Sequence, residues 1–204
     1  MKKTVFVLGS AVVLLLAACS KEDATGLVLQ SHDANRMMDT MHAMMSRMEA
    51  MPKTNDPDID FAKMMMMHHE GAINMSNVEL QAGTNDSLKQ TAQKIITEQQ
   101  AEIQQFTAIL ASLTVDNNDP TFTMEQMDNM TKGAKTADVQ LITGNIDNDF
   151  ATLMISHHQA AIDNASAYLH HGNNAELKTM ATNIVTSQTM EIGELADWLK
   201  ANKR

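Results

Sequence analysis

Four methionines run directly into two histidines at Met64-Met65-Met66-Met67-His68-His69, and a related cluster, Met154 with His157 and His158, follows 89 residues later. Thioether sulfur and imidazole nitrogen are the donors that soft, thiophilic metal ions take when thiolates are scarce. Copper, above all Cu(I), is the ion this pairing favours. At about 100° per residue on a helix, Phe61, Met65, Ala72 and Ser76 share one face. His68 and His69 fall on either side of its midline, and Phe150, Met154, His157, His158, Ala161 and Ala165 repeat the arrangement. The expected ligands are therefore Met65, His68, His69, Met154, His157 and His158, each trio aimed at an interior point. Both two separate sites and one shared site fit this pattern.

A second helix in each half carries an apolar seam, Leu88, Ala92, Ile95, Phe106 and Ile109 in the first, interrupted by Gln99 with Glu102 nearer its edge. Gln188 and Glu191 interrupt the matching seam of the second half. A buried polar group without a partner costs roughly 1–3 kcal/mol, so these four side chains are expected to brace the histidines. Such bracing fixes the imidazole tautomer of a metal ligand. A polar layer that merely sets helix register satisfies the same residues. Upstream, Met37, Met41, Met44, Met48 and Met51 form a stripe widened by Met38 and Met45, with His42 beside it. Packing by a flexible core filler and metal ligation both explain it. Met38, Met41, His42, Met45 and Met64 are accordingly possible additional ligands, and Met124, Met127 and Met130 share the ambiguity.

The elements that must position these groups are written twice. Sliding the chain by 89 residues aligns Asp60-Phe61 with Asp149-Phe150, His68-His69 with His157-His158, Gly83 with Gly172, and Gln99 and Glu102 with Gln188 and Glu191. This is an internal duplication. Asp56-Pro57 predicts a helix start and Gly83 its end; Thr84-Asn85 caps a second helix running to about Leu113. The second hairpin is expected from near Asp147, through a break at Gly172-Asn173-Asn174, to near Lys200. Thr123 and Gln126 fit a capping box for a shorter helix, and Val115 to Pro120 reads as a loop. The expected fold is all-α: an antiparallel four-helix bundle made of two duplicated hairpins, plus the N-terminal Met-rich helix.

Lys2, Lys3 and the apolar run from Val5 to Leu16 form a secretion signal. Leu16-Ala17-Ala18-Cys19 matches a lipobox, which makes Cys19 the expected lipidation site and accounts for the chain's one cysteine. Ser20 follows without a retention aspartate, so the expected location is the periplasmic face of the outer membrane, reached through an N-terminal lipid anchor. The expected organisation is a signal peptide over 1–18, a tether over 19–32 and one helical domain over 33–202. Within that domain, repeat one spans about 35–113 and repeat two about 123–202. Without Lys2 and Lys3, 13 basic residues face 25 acidic ones, a formal charge of −12. That surface disfavours nucleic acid and anionic lipid heads.

The phrase DFAKMMMMHHEGAINM, echoed as DFATLMISHHQAAIDN, resembles the hallmark of the domain of unknown function 305 family. The resemblance implies a ferritin-like four-helix architecture and, for exported members, copper and by similarity silver bound through Met and His. It carries over to Met65, His68, His69, Met154, His157 and His158. The second half departs at Leu153, Ser156 and Asn164, where the first has Met64, Met67 and Met75, so its site is expected to be poorer in sulfur.

The function these observations favour is a non-enzymatic, lipid-anchored periplasmic protein that binds copper for buffering, resistance or transfer to a metal-accepting partner. Because ligation needs deprotonated imidazole, affinity is expected to fall below about pH 6, near the ordinary histidine pKa. A metal-free periplasmic chaperone or adaptor using the Met-rich helix is the alternative. A di-iron oxidase ranks lower because no Glu-x-x-His occurs, the motif such sites require. Haem held by Met and His is a further possibility, though the chain has no Cys-x-x-Cys-His for covalent attachment.

Overall fold

The computed structural model describes residues 29–202. The signal peptide, Cys19 and most of the tether lie outside these residues. At the tether's end, the Gln30 N–H donates to Ile142 O at 2.7 Å, and His32 Nε2 lies 3.0 Å from Gln140 O. His32–Ala34 forms a short 3-10 turn.

Among the described residues there are six α-helices and no strand. They are α1 (Arg36–Glu49), α2 (Pro57–Ala82), α3 (Asp86–Leu110), α4 (Pro120–Asp138), α5 (Ile146–His171) and α6 (Ala175–Ala201). Each begins at a short polar cap, as orphan N–H groups of a first turn require. Asp56 accepts from the N–H groups of Asp58 and Ile59, with Pro57 in the first turn. Asn35, Asn85, Asn145 and Asn174 cap α1, α3, α5 and α6 in the same way.

Two features differ from expectation. First, α4 starts at Pro120, because Asp119 accepts from Thr121 and Phe122. The Thr123–Gln126 capping box is thus not used; both residues are buried inside the helix. Second, the helix expected at this place in the second half is not short: α4 has 19 residues against 14 in α1, and it packs on α5 as α1 packs on α2. Each half is therefore a three-helix unit.

Helices α2 and α5 form the centre. Both bury most of their residues; on α2 one stripe, Lys63, Glu70, Asn74, Asn77 and Gln81, stays partly or fully exposed. Their ends are tied reciprocally. Asp58, at the start of α2, accepts from the N–H groups of Asn173 and Asn174 just beyond α5, at 2.9 and 3.2 Å. Asp147, at the start of α5, accepts from those of Thr84 and Asn85 just beyond α2, at 2.8 and 3.0 Å. The two helices therefore run antiparallel about an approximate two-fold axis that exchanges the halves. Asp60 and Asp149 repeat a second pattern, each binding the loop before its own helix through Thr54-Asn55 and Thr143-Gly144. Asn55 and Gly144 both take positive φ there, a conformation natural to glycine and tolerated by asparagine.

Two apolar clusters fill the interior, and each draws on both halves. One holds Phe61, Met65, Phe106, Phe122 and Tyr168; the other holds Ala72, Met75, Leu88, Phe150 and Met154. His68 and His157 fall between them along α2 and α5.

Candidate metal centre

His68 and His157 are equivalent residues of the duplication, and the two-fold relation brings them together. Their rings stack at 3.7 Å between centroids and 26° between planes. Both are fully buried, and both nitrogens of each ring have no hydrogen-bond partner. At roughly 1–3 kcal/mol for each unsatisfied group, this is a large charge against a domain stability of about 5–15 kcal/mol. Burial first, and then the neighbouring histidines, hold both imidazoles well below the ordinary pKa. They are neutral at pH 7, with lone pairs available for a metal ion.

Beside the pair lies a cavity of about 10 Å³ lined by Met41, Met44 and Met45 of α1, Met130 of α4, and His68 and His157. That space suits about one water-sized species. Its wall follows the duplication, with Met41 matching Met130, but Met44 and Met45 face Gly133 and Ala134 at the equivalent places. The first half supplies most of the sulfur and the second supplies room. Gly71 permits the close approach: a Cβ there would collide with Met44 Sδ and lie 3.2 Å from His157 Cε1. Met44 and His157 thus both close on the space above Gly71, and both line the cavity.

His69 and His158 turn away from this cavity. The His68 and His69 rings lie 6.4 Å apart at 67°, because successive helical residues diverge by about 100°. His69 Nε2 lies 2.8 Å from Glu102 Oε2, and His158 Nε2 lies 2.9 Å from Glu191 Oε2. Lys94 Nζ reaches Glu191 Oε1 at 3.4 Å. Burial opposes the charge on Glu191, but His158 and Lys94 outweigh it and hold its carboxyl below the usual range. Gln99 and Gln188 are buried nearby, yet their Oε1 atoms have no partner. Two of the four expected braces thus meet histidines, and those are not the stacked pair.

The remaining sequence candidates are dispersed. Met65 and Met154 are fully buried in opposite apolar clusters, and Met64 packs with the first of these. Met38 is core. His42 is exposed, 3.1 Å from Asp138. Met41 and Met45 reach the cavity, joined by Met44 and Met130, which the sequence left between packing and ligation. The match of Met41 with Met130 under the 89-residue shift was the available signal. Among the described residues no three His, Cys, Asp or Glu side chains converge as metal ligands, so a metal at the stacked pair must draw on thioethers. Neutral imidazole with thioether is a donor set fitted to a soft monovalent ion.

Comparison with solved structures finds several forms of CopM. The Cu(II)-bound form is 28% identical at a TM-score of 0.56, over 71% of this chain and 96% of that one. The form soaked with silver is 26% identical at 0.55, over 72% and 97%. The Cu(I)-bound form is 25% identical at 0.54, over 72% and 98%. Comparison with curated proteins finds no match. The model of the domain of unknown function DUF305 matches twice, over residues 14–110 and 111–199, so the chain belongs to the DUF305 family and carries two copies of its domain.

Proposed function

We propose that this protein binds a single Cu(I) or Ag(I) ion between its two halves. His68 and His157 supply nitrogen, and Met44, Met41, Met45 and Met130 supply sulfur. The observation that carries this reading is the stacked, fully buried imidazole pair whose nitrogens lack partners beside a sulfur-lined cavity. The similarity to CopM, solved with silver, Cu(I) and Cu(II), supports the choice of ion. The role is binding rather than catalysis: buffering, resistance, or transfer to another protein. On this reading the four long helices act as an antiparallel bundle that holds the histidines, and α1 and α4 close over them with sulfur. The lipobox at Cys19 supports a lipid-anchored form on the periplasmic face of the outer membrane.

Titrating the protein with Cu(I) against a competing chelator tests the proposal. One tightly held ion per chain is expected, and His68→Ala or His157→Ala should each weaken binding by about 100-fold, roughly 2.7 kcal/mol. Unchanged affinity in both variants would overturn it.

A further inference from the structure

Among the buried carboxyl groups away from the histidines, Glu79 has both oxygens without a donor. The duplication pairs Asp58 with Asp147, Tyr168 with Glu79, and Gly172 with Gly83. In one clamp Asp58 accepts two backbone N–H groups and the Tyr168 hydroxyl, the last at 2.5 Å. In the other, Asp147 accepts the N–H groups of Thr84 and Asn85 and the Thr84 hydroxyl, the last at 2.6 Å. Glu79 occupies the place of Tyr168. Its carboxyl lies over Gly83, where a Cβ would collide with Oε1, as the Tyr168 ring lies over Gly172.

Glu79 is fully buried and neither of its oxygens receives an N–H or O–H donor. Its carboxyl lies over Gly83, next to Thr84 and Asn85 whose N–H groups bind Asp147, so the acid facing it is one that already accepts three donors. Two oxygen acids share a hydrogen bond only if one keeps its proton. The symmetry names the donor, because the equivalent residue at the other end donates an O–H.

We propose that Glu79 and Asp147 form a proton-holding clamp between the end of α2 and the start of α5, closed while Glu79 is protonated and released when it ionises. Burial, the hydrogen bond to Asp147 and that residue's charge push the Glu79 carboxyl up to about 8. Burial opposes the charge on Asp147, but the bonds from Thr84 and Asn85 outweigh it and hold its carboxyl below the usual range. Charged groups around this end are Lys89 of α3, which draws Glu79 down, Asp86 in the first turn of α3, Lys200 of α6, which lines a pocket with Asp147, and Arg36 of α1, which reaches Gln81 at 3.5 Å. None of them donates to Glu79.

The direction of the effect follows. Between the ordinary carboxyl value of 4.5 and about 8 the folded chain holds a proton that the unfolded chain releases. Stability therefore declines as pH rises across this window, and the clamp's contribution is gone above it. The Tyr168 phenol does not titrate there, since burial and Asp58 raise it above its ordinary value.

Carboxyl NMR titration of the full chain, with amide exchange at pH 7 and pH 9, tests the clamp. The Glu79 carboxyl should titrate near pH 8. After correction for base catalysis, exchange at Thr84 and Asn85 should rise about tenfold or more, while Asn173 and Asn174 stay protected. Glu79→Gln keeps a donor, and Glu79→Tyr copies the other end; both should abolish the rise. A Glu79 carboxyl titrating at its ordinary value overturns the proposal even if neither variant folds. Equal exchange behaviour at the two clamps also overturns it.

Discussion

The stacked histidines carry a desolvation cost that a bound metal ion would offset. Neither His68 nor His157 donates or accepts a hydrogen bond, and an unpaired buried polar group is a larger penalty than a missing apolar contact. Replacing both by leucine should therefore leave the metal-free protein as stable, or more stable by about 1–3 kcal/mol, while abolishing metal-induced stabilisation. Denaturant unfolding with and without Cu(I) checks this; a metal shift surviving in the double variant would place the ion elsewhere. The same pair sets an acid limb. Burial depresses both folded-state pKa values, so their contribution to stability is present above about pH 6.5. It is lost as pH falls from there toward the folded values. Metal-free wild type should weaken across that range, and the double-leucine variant should weaken less.

Helix ends are decided by short polar caps and by the space beside a glycine. Gly83 and Gly172 close α2 and α5 in extended conformation, at φ −66° and −71°, not in the left-handed form that usually selects glycine at a helix end. Their role is to leave room. A Cβ at Gly172 would enter the Tyr168 ring, which stacks on Phe61 at 4.1 Å and donates to Asp58. Gly172→Ala should thus cost about 1–3 kcal/mol through overpacking. A loss below 0.5 kcal/mol, on the order of an ordinary surface change, would mean the ring yields freely.

For the molecule as a whole, duplication followed by antiparallel pairing of α2 and α5 places one half's histidine against the other's. On the proposed reading the two halves share one metal ion. Binding should saturate at one tightly held ion per chain, and free metal at about 100 times its Kd should stabilise the fold by about 2.7 kcal/mol. Calorimetric titration with Ag(I) tests the stoichiometry, and two equivalent tight sites would contradict a shared centre. The unequal sulfur supply makes a second expectation. Met44→Leu and Met45→Leu should weaken Cu(I) and Ag(I) binding more than Met65→Leu or Met154→Leu, since those last two are packed in the apolar clusters. Competition titration of the four variants gives the ranking.

Much of this was legible in residue order. The 89-residue shift exposed the duplication, and Asp56-Pro57, Asn85, Gly83 and Gly172-Asn173-Asn174 marked the helix boundaries through capping chemistry that is local. The burial of His68, His69, His157 and His158 followed from helical periodicity, which says which face is inward. Periodicity says nothing about which neighbour an inward face meets. That is why His69 and His158 find Glu102 and Glu191, why Gln99 and Gln188 brace neither stacked ring, and why Met44 and Met130 line the cavity in preference to Met65 and Met154. The carboxylate partnerships depend on how α3 and α6 lie against the α2–α5 pair, and the cavity wall on how α1 and α4 lie across it. Only the packed molecule, by folding one duplicated unit antiparallel onto the other, turned two similar motifs into one candidate site.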